Sequence, residues 1–512
     1  MRRSVFKTVG IILVILGLSM LISCLWEFSY RDLKYNALES LLLSSFITVL
    51  SGSLLFILCY KSKISDISLR DGFSIVTIGW ILMTIFSALP LYIADLGFSY
   101  TESFFEAMSG LTTSGSSIIE DIDIIPESLL FWRSFMHFIG GMGIIVFSLA
   151  MLPLLGFGGV QLFRAEVAGP TADKLTPRVK QTAKLLWSIY ISFILILTFM
   201  LYAQGMTLHQ AICHSFGTIA TAGFSTESDS INAFSISIKW TIIFFMFLSA
   251  TNFSFHYYFI SKGKFEYFKD IEFKVYIFII IACASIFYVN ISYSMHNSSN
   301  VDVEMIDDIS TSNESIIDKN NPTDQRQTKN PITDSVFTSV ALLTTTGFRT
   351  ADFEEWPGLS KVLVFVLFFI GGCAGSTTGG MKIIRSILVW KYLVSEVRKL
   401  IHPNGVFPVK VGNKTISDDI VKSTLGYYLF YILIFFLSAI IISATGQDFE
   451  TSITAAAVSI GNIGPGLGSI GPADTWAQLH PIALWVSSFC MLLGRLEIFT
   501  VMVLFSRTFW RK

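Results

Sequence analysis

Four short stretches of the chain repeat one mixture of small residues and glycine. They are Thr112-Thr113-Ser114-Gly115, Ala220-Thr221-Ala222-Gly223, Thr344-Thr345-Thr346-Gly347 and Gly461-Asn462-Ile463-Gly464. None contains a carboxylate, histidine or cysteine, so side-chain acid–base catalysis and side-chain metal ligation do not suit them. What they offer is backbone oxygen. A cation stripped of its water needs oxygens, and peptide carbonyls supply them without fixed charge, so the ion binds and can also leave. Glycine permits torsions that turn successive carbonyls toward one axis. One such turn would be read as a helix cap, but four copies in similar surroundings point to joint coordination of an ion.

Those surroundings repeat as well. Each stretch ends a segment of intermediate polarity, at 101–113, 207–221, 332–345 and 448–461, too short to cross a bilayer. Long apolar runs flank them, roughly at 8–28, 37–60, 72–96, 128–155, 183–204, 236–261, 272–291, 359–393, 423–445 and 480–507. Non-helical backbone at membrane depth is tolerated only where protein or water covers it, so re-entrant helices around a shared pore are expected. The turn glycines stand 108, 124 and 117 residues apart, near-constant spacing that argues for one unit copied four times. The polar stretch 293–330 accounts for the longest interval; it reads as an exposed insertion without helical period.

The expected fold is therefore an all-α polytopic membrane protein. It has two additional N-terminal transmembrane helices (1–70) and four pseudo-symmetric helix–pore-loop–helix repeats around a central pore: 71–180, 181–265, 266–415 and 416–512. Composition agrees. Of 512 residues, 52% are hydrophobic and only 14% charged, with mean hydropathy +0.63, where soluble domains carry about a quarter charged residues. The formal net charge of −1 hides sorting by location. Basic residues follow alternate spans (Lys61 and Lys63; Arg164, Lys174, Arg178 and Lys180; Lys262, Lys264 and Lys269; Lys391, Arg398 and Lys399) and also stand near both ends of the chain. The positive-inside rule then places both termini in the cytoplasm and opens all four glycine turns to the exterior. Nearby acidic residues, Glu106, Glu227, Glu354 and Glu450 among them, are read as solvated groups that could concentrate cations at the mouth. The six cysteines are scattered without CxxC spacing and read as buried small hydrophobes.

Two other constellations stand out. "GGCAGSTTGGMK" (371–382) puts five glycines and three hydroxyl residues into twelve positions of an apolar run. Each glycine costs a helix about 1 kcal/mol relative to alanine, so the run breaks there and must face protein or a cavity. Close packing through small residues is the bland alternative. Arg495 is a cation inside an apolar helix, with Glu497 two positions on. It must face the interior or a partner, and an Arg–Glu pair with another helix is the structural alternative.

The motifs "SGLTTSGSS", "TAGFST", "TTTGFRT", "GGCAGSTTGGMKIIR", "GNIGPG" and "LLGRLEIFT" resemble those of the Trk/Ktr/HKT potassium transporter superfamily, over essentially the whole chain. The resemblance implies a K+ path through the four loops, each glycine contributing to a selectivity filter. It implies an intramembrane gate formed by Gly371, Gly372, Gly375, Ser376, Thr377, Thr378, Gly379, Gly380 and Lys382, with Arg495 in the path below the filter. Some plant relatives carry serine for the first-loop glycine and admit Na+, so four glycines favour K+. The resemblance further implies multi-pass residence in the cytoplasmic (inner) membrane of a bacterium, a homodimer, and a cytoplasmic nucleotide-binding regulatory subunit of TrkA-like type. No nucleic-acid partner is expected, and no cofactor beyond K+ as transported ion. Two departures are visible: Ser114 stands where many members have a third threonine, and the 293–330 insertion is long. A secondary transporter of another small solute, coupled to Na+ or H+, is the alternative reading. A membrane enzyme is disfavoured by the lack of any recurring nucleophile or paired carboxylates.

Overall fold

The computed structural model describes residues 3–27, 36–62, 68–151, 175–307, 330–412 and 414–511. Arg164, Lys174, Lys63 and the 308–329 part of the insertion lie outside them. The regular structure of the described residues is helical apart from a two-residue antiparallel pairing of Lys410–Val411 with Lys414–Thr415. Among the described residues, seven helices are long and apolar enough to cross a membrane, and two bent helix pairs bring the number to nine. Their outer faces expose large apolar side chains such as Leu25, Phe46, Phe199, Phe278 and Leu429, as a lipid-facing surface requires.

The N-terminal pair, α1 (Arg3–Glu27) and α2 (Ala37–Leu58), packs on α3 (Leu69–Ser87) and has no short helix of its own among the described residues. Four times thereafter a long helix is followed by a short one, a loop and another helix. The short helices are α5 (Tyr100–Leu111), α8 (Leu208–Ala220), α12 (Pro331–Leu343) and α16 (Phe449–Gly461). Their outer ends are chemically fixed. Ser99 with Glu102 and Thr207 with Gln210 form capping boxes. Asp448 accepts N–H bonds from Glu450 and Thr451, and Asp334 holds the N–H of Asn330.

Three expected spans differ in detail. Run 236–261 is two helices, α9 (Ile236–Ser249) and α10 (Phe253–Lys262), bent by 95°. Asn252 caps α10 by accepting from Ser254 N, so an apolar run is restarted by a single polar side chain. Run 480–507 bends by 111° between α17 (Pro481–Arg495) and α18 (Ile498–Met502), where Glu497 has φ +60°. Run 359–393 is α13 (Gly358–Leu367), a loop and α14 (Ile383–Ile401). The insertion also departs from expectation at its start, because α11 (Ile271–Asp307) continues into it.

Candidate functional site

The four loops leave their helices by one geometry. The N–H of Ser114, Ala222, Thr346 and Ile463 donates to the carbonyl five residues earlier, at Ser109, Gly217, Ala341 and Val458, over 2.8–3.1 Å. The residue before each donor, Thr113, Thr221, Thr345 or Asn462, is left-handed, with φ between 52° and 55°. This is the helix-ending turn that glycine usually makes. Here threonine or asparagine makes it, at about 1–2 kcal/mol per position. The left-handed corner therefore falls two residues before the glycine. Gly115, Gly347 and Gly464 are left-handed too, whereas Gly223 is not.

The glycines are required chiefly because the loops meet. A Cβ on Gly115 would lie 2.5 Å from Gly223 N, and one on Gly223 would lie 2.7 Å from Thr346 O. One on Gly347 would lie 1.9 Å from Ile463 O, and one on Gly464 would lie 2.9 Å from Ser114 O. The contacts run from the first loop to the second, third and fourth and return to the first. Side chains tie the ring from behind. Asn462 Nδ2 donates to Ser114 Oγ (2.9 Å) and Met491 O (2.9 Å). Ser116 Oγ donates to Gly464 O (3.1 Å). In the third loop Thr344 and Thr346 pair with each other at 2.8 Å. Ser114 and Ser116 thus both bind the first loop to the fourth. Thr112 bonds its own helix at Met108 O, and Thr221 bonds Ala220 O.

Above the ring, the ascending strands are braced by residues that sequence reading missed. Glu106 was expected to be solvated; it is fully buried. Arg133, also buried, approaches its Oε1 at 2.6 Å, and Glu106 accepts from Ser117 Oγ (3.0 Å) and Ile118 N (2.9 Å). The Arg133 guanidinium lies 4.1 Å over the Phe224 ring, so the brace reaches the second loop. Counted from its glycine, His214 is the repeat-two counterpart of Glu106, and its Nε2 lies 3.0 Å from Ser225 Oγ. Arg349 donates to Pro472 O (2.7 Å) and Ser228 O (2.8 Å), clasping three repeats. Glu354, half-buried, accepts from Gly468 N. Burial pushes its pKa up to about 7 against that N–H, and Asp352, Asp474 and Glu450 push the same way. An arginine within an apolar run was a readable signal for Arg133; nothing local marked the others.

The broken segment lies directly against the ring. A Cβ on Gly379 would fall 2.7 Å from both Gly461 O and Asn462 Cβ. Gly379 N donates to Thr345 Oγ1 (2.8 Å), and Thr377 Oγ1 to Ile219 O (3.0 Å). The segment folds on itself: Gly371 N bonds Met381 O, Ser376 Oγ contacts Cys373 O and Thr378 Oγ1, and Lys382 Nζ contacts Thr378 Oγ1 (2.7 Å). Gly375 and Gly380 are left-handed, and Gly372 is pressed against Ala250 O. The segment fills the α9–α10 break, where Cys373 N bonds Ala250 O and Phe253 N bonds Gly375 O, each at 3.0 Å. Arg495, 2% exposed, donates to Thr377 O (2.7 Å) and Gly140 O (3.2 Å). Glu497 pairs instead with Arg385, whose guanidinium stacks 4.0 Å over Tyr427. The charge of Arg495 is therefore held by carbonyls against the segment beneath the ring.

Comparison with known proteins bears on this geometry. The TrkH family profile, described as cation transport protein, matches residues 38–512. The Trk system potassium uptake protein TrkH of Vibrio parahaemolyticus is 36% identical over 515 residues, covering 99% of each chain. That of Escherichia coli K12 is 35% identical over 518 residues, covering 100% of this chain and 99% of its own. The crystal structure of the potassium transporter TrkH from Vibrio parahaemolyticus matches with TM-score 0.84 at 35% identity, over 99% of both chains.

Proposed function

The chain belongs to the TrkH family of cation transport proteins, and from that premise we propose that it takes up potassium across the inner membrane through the ring formed by its four glycine loops. The observation that carries this reading is the closed circuit of backbone contacts from Gly115 to Gly223, Gly347, Ile463 and back to Ser114. Residues separated by more than a hundred positions put their peptide groups within a few ångströms of one another, which is what a shared carbonyl-lined filter needs. The left-handed corners at Thr113, Thr221, Thr345 and Asn462 reverse each chain at the inner end of its short helix. The carboxyl ends of those helices, partially negative, then favour a cation on the axis. A negative interior draws K+ inward by about 2.3 kcal/mol per 100 mV.

In this proposal the 371–382 segment is the gate. It lies against the loops of repeats two, three and four and is held by Arg495. Opening means withdrawing it from the axis. A homodimer and a TrkA-like nucleotide-binding subunit on the cytoplasmic loops complete the proposed assembly, supported by membership in a Trk system. The test is 86Rb+ flux in proteoliposomes with competing Na+, for the natural chain and for Gly115, Gly223, Gly347 and Gly464 replaced singly by serine. Loss of discrimination is expected. Unchanged K+/Na+ preference in all four variants would refute the filter.

A further inference from the structure

One carboxylate ties the early part of the 371–382 segment to the helix that follows it. Glu272 Oε1 accepts the N–H of Ala374 at 2.9 Å and the N–H of Ile384 at 2.9 Å. The two donors are ten residues apart, one in the loop and one in the first turn of α14, and they converge on a single oxygen. Glu272 is 6% exposed. Accepting two backbone donors is how a buried carboxylate of this kind is stabilised.

Its position connects the loop to the protein surface. Glu272 lies in the first turn of α11, next to the 263–270 segment that carries Lys264 and Lys269, in the loop expected to be cytoplasmic. That segment is tied to the same machinery a second time. The Tyr267 hydroxyl meets His256 Nδ1 at 2.7 Å, and His256 Nε2 meets Leu248 O at 3.0 Å, one turn before the break that the 371–382 segment fills. A displacement of 263–270 therefore acts on the loop from both sides.

We propose that Glu272 is the latch of the 371–382 loop, a positioning residue that ties the early part of the loop to the helix that follows it and releases the two when the adjoining 263–270 segment moves. The inference rests on the reading of this loop as the gate. Release needs the acceptor withdrawn, so reach matters more than charge: aspartate keeps the charge one methylene short, whereas glutamine keeps an acceptor oxygen at the same distance.

Cys373 reports the state of the loop without reference to flux, being 1% exposed and inside it. Full-length Glu272→Ala, Glu272→Asp and Glu272→Gln chains, reconstituted in proteoliposomes, are labelled with N-ethylmaleimide. Peptide mass spectrometry separates Cys373 from the other cysteines, and 86Rb+ flux is measured in parallel. Alanine and aspartate are expected to speed Cys373 labelling by about tenfold or more, the factor that goes with losing even one of the two charge-assisted hydrogen bonds, and to raise flux in the absence of any regulatory partner. Glutamine is expected to stay within about twofold of the natural chain, as an accepted hydrogen bond largely retained implies. Natural-rate labelling in the aspartate variant overturns the latch, as does a glutamine variant that labels as fast as alanine. Faster labelling with unchanged flux upholds the latch and overturns the gate. Should the alanine variant fail to assemble, the aspartate and glutamine pair decides alone.

Discussion

Removing Glu106 isolates a test of the brace above the first loop. Its carboxylate is fully buried and meets the Arg133 side chain, 1% exposed, at 2.6 Å. The same carboxylate holds Ser117 Oγ and Ile118 N, the strand that rises from Gly115. Glu106→Ala leaves a buried guanidinium whose remaining partners are the Ser117 hydroxyl and the Phe224 face. Breaking a buried pair from one side costs about 3–5 kcal/mol. Arg133→Met removes the other charge and leaves the carboxylate two of its hydrogen bonds, so its cost is expected to be smaller. In the double variant no charge is stranded. The two single costs should therefore exceed the double cost by about 2–3 kcal/mol. The assay is a double-mutant cycle by SDS-driven unfolding of the solubilised chain, with K+/Na+ discrimination in proteoliposomes as second readout. Glu106→Ala is expected to lose discrimination, because the strand it freed is continuous with Gly115. Additivity within about 0.5 kcal/mol, together with intact discrimination, would refute the brace.

Other outcomes follow from the same geometry. Gly347→Ala is expected to lose assembly or K+/Na+ discrimination, since its Cβ would lie 1.9 Å from Ile463 O; Gly97→Ala, left-handed in open space, should cost only about 1–2 kcal/mol and leave flux unchanged. Arg495→Ala should change flux or its rectification while the protein still reaches the membrane, measured by patch recording; identical currents would remove Arg495 from the mechanism. For Glu354, a folded-state pKa pushed up to about 7 from an ordinary glutamate value of 4.5 means that the folded state binds the proton more tightly. The stability it contributes is present in full below about pH 4.5 and is lost as pH rises toward 7. The melting temperature of the natural chain should therefore fall more between pH 5 and pH 8 than that of Glu354→Gln, and parallel pH profiles would contradict the assignment.

The repeat was legible because its signal is periodic and local: a short helix, small residues and a glycine recur at near-constant spacing, and capping boxes such as Ser99-x-x-Glu102 mark the outer ends. What was not legible was which residue makes each turn. Glycine is the residue usually chosen for a left-handed corner, so sequence reading assigns the torsion to Gly223, which is not left-handed, and overlooks Thr221, which is. The corner residue is decided by the helix's terminal hydrogen bond, and the glycine by a neighbouring loop whose backbone occupies the place a Cβ would take, a proximity no linear pattern contains. Glu106 fails for a related reason. Its partner is 27 positions away inside an apolar run, and the reasoning applied to Arg495, that an intramembrane cation needs a partner, identifies Arg133 just as well.

The broken spans extend this point. Hydropathy measures transfer to lipid and passes over a run such as 236–261, because a break at Ala250-Thr251-Asn252 hardly alters the sum. Backbone hydrogen bonding is what changes there. The break frees the Ala250 carbonyl and the Phe253 N–H, which accept from Cys373 and donate to Gly375. The loop at 371–382, itself glycine-broken, needs outside partners for the same reason. The two defects satisfy each other, one in repeat two and one in repeat three. Here the glycine-rich interruption of one apolar helix is met by an interruption in its neighbour, and Asn252 is the residue that restarts the chain beyond it.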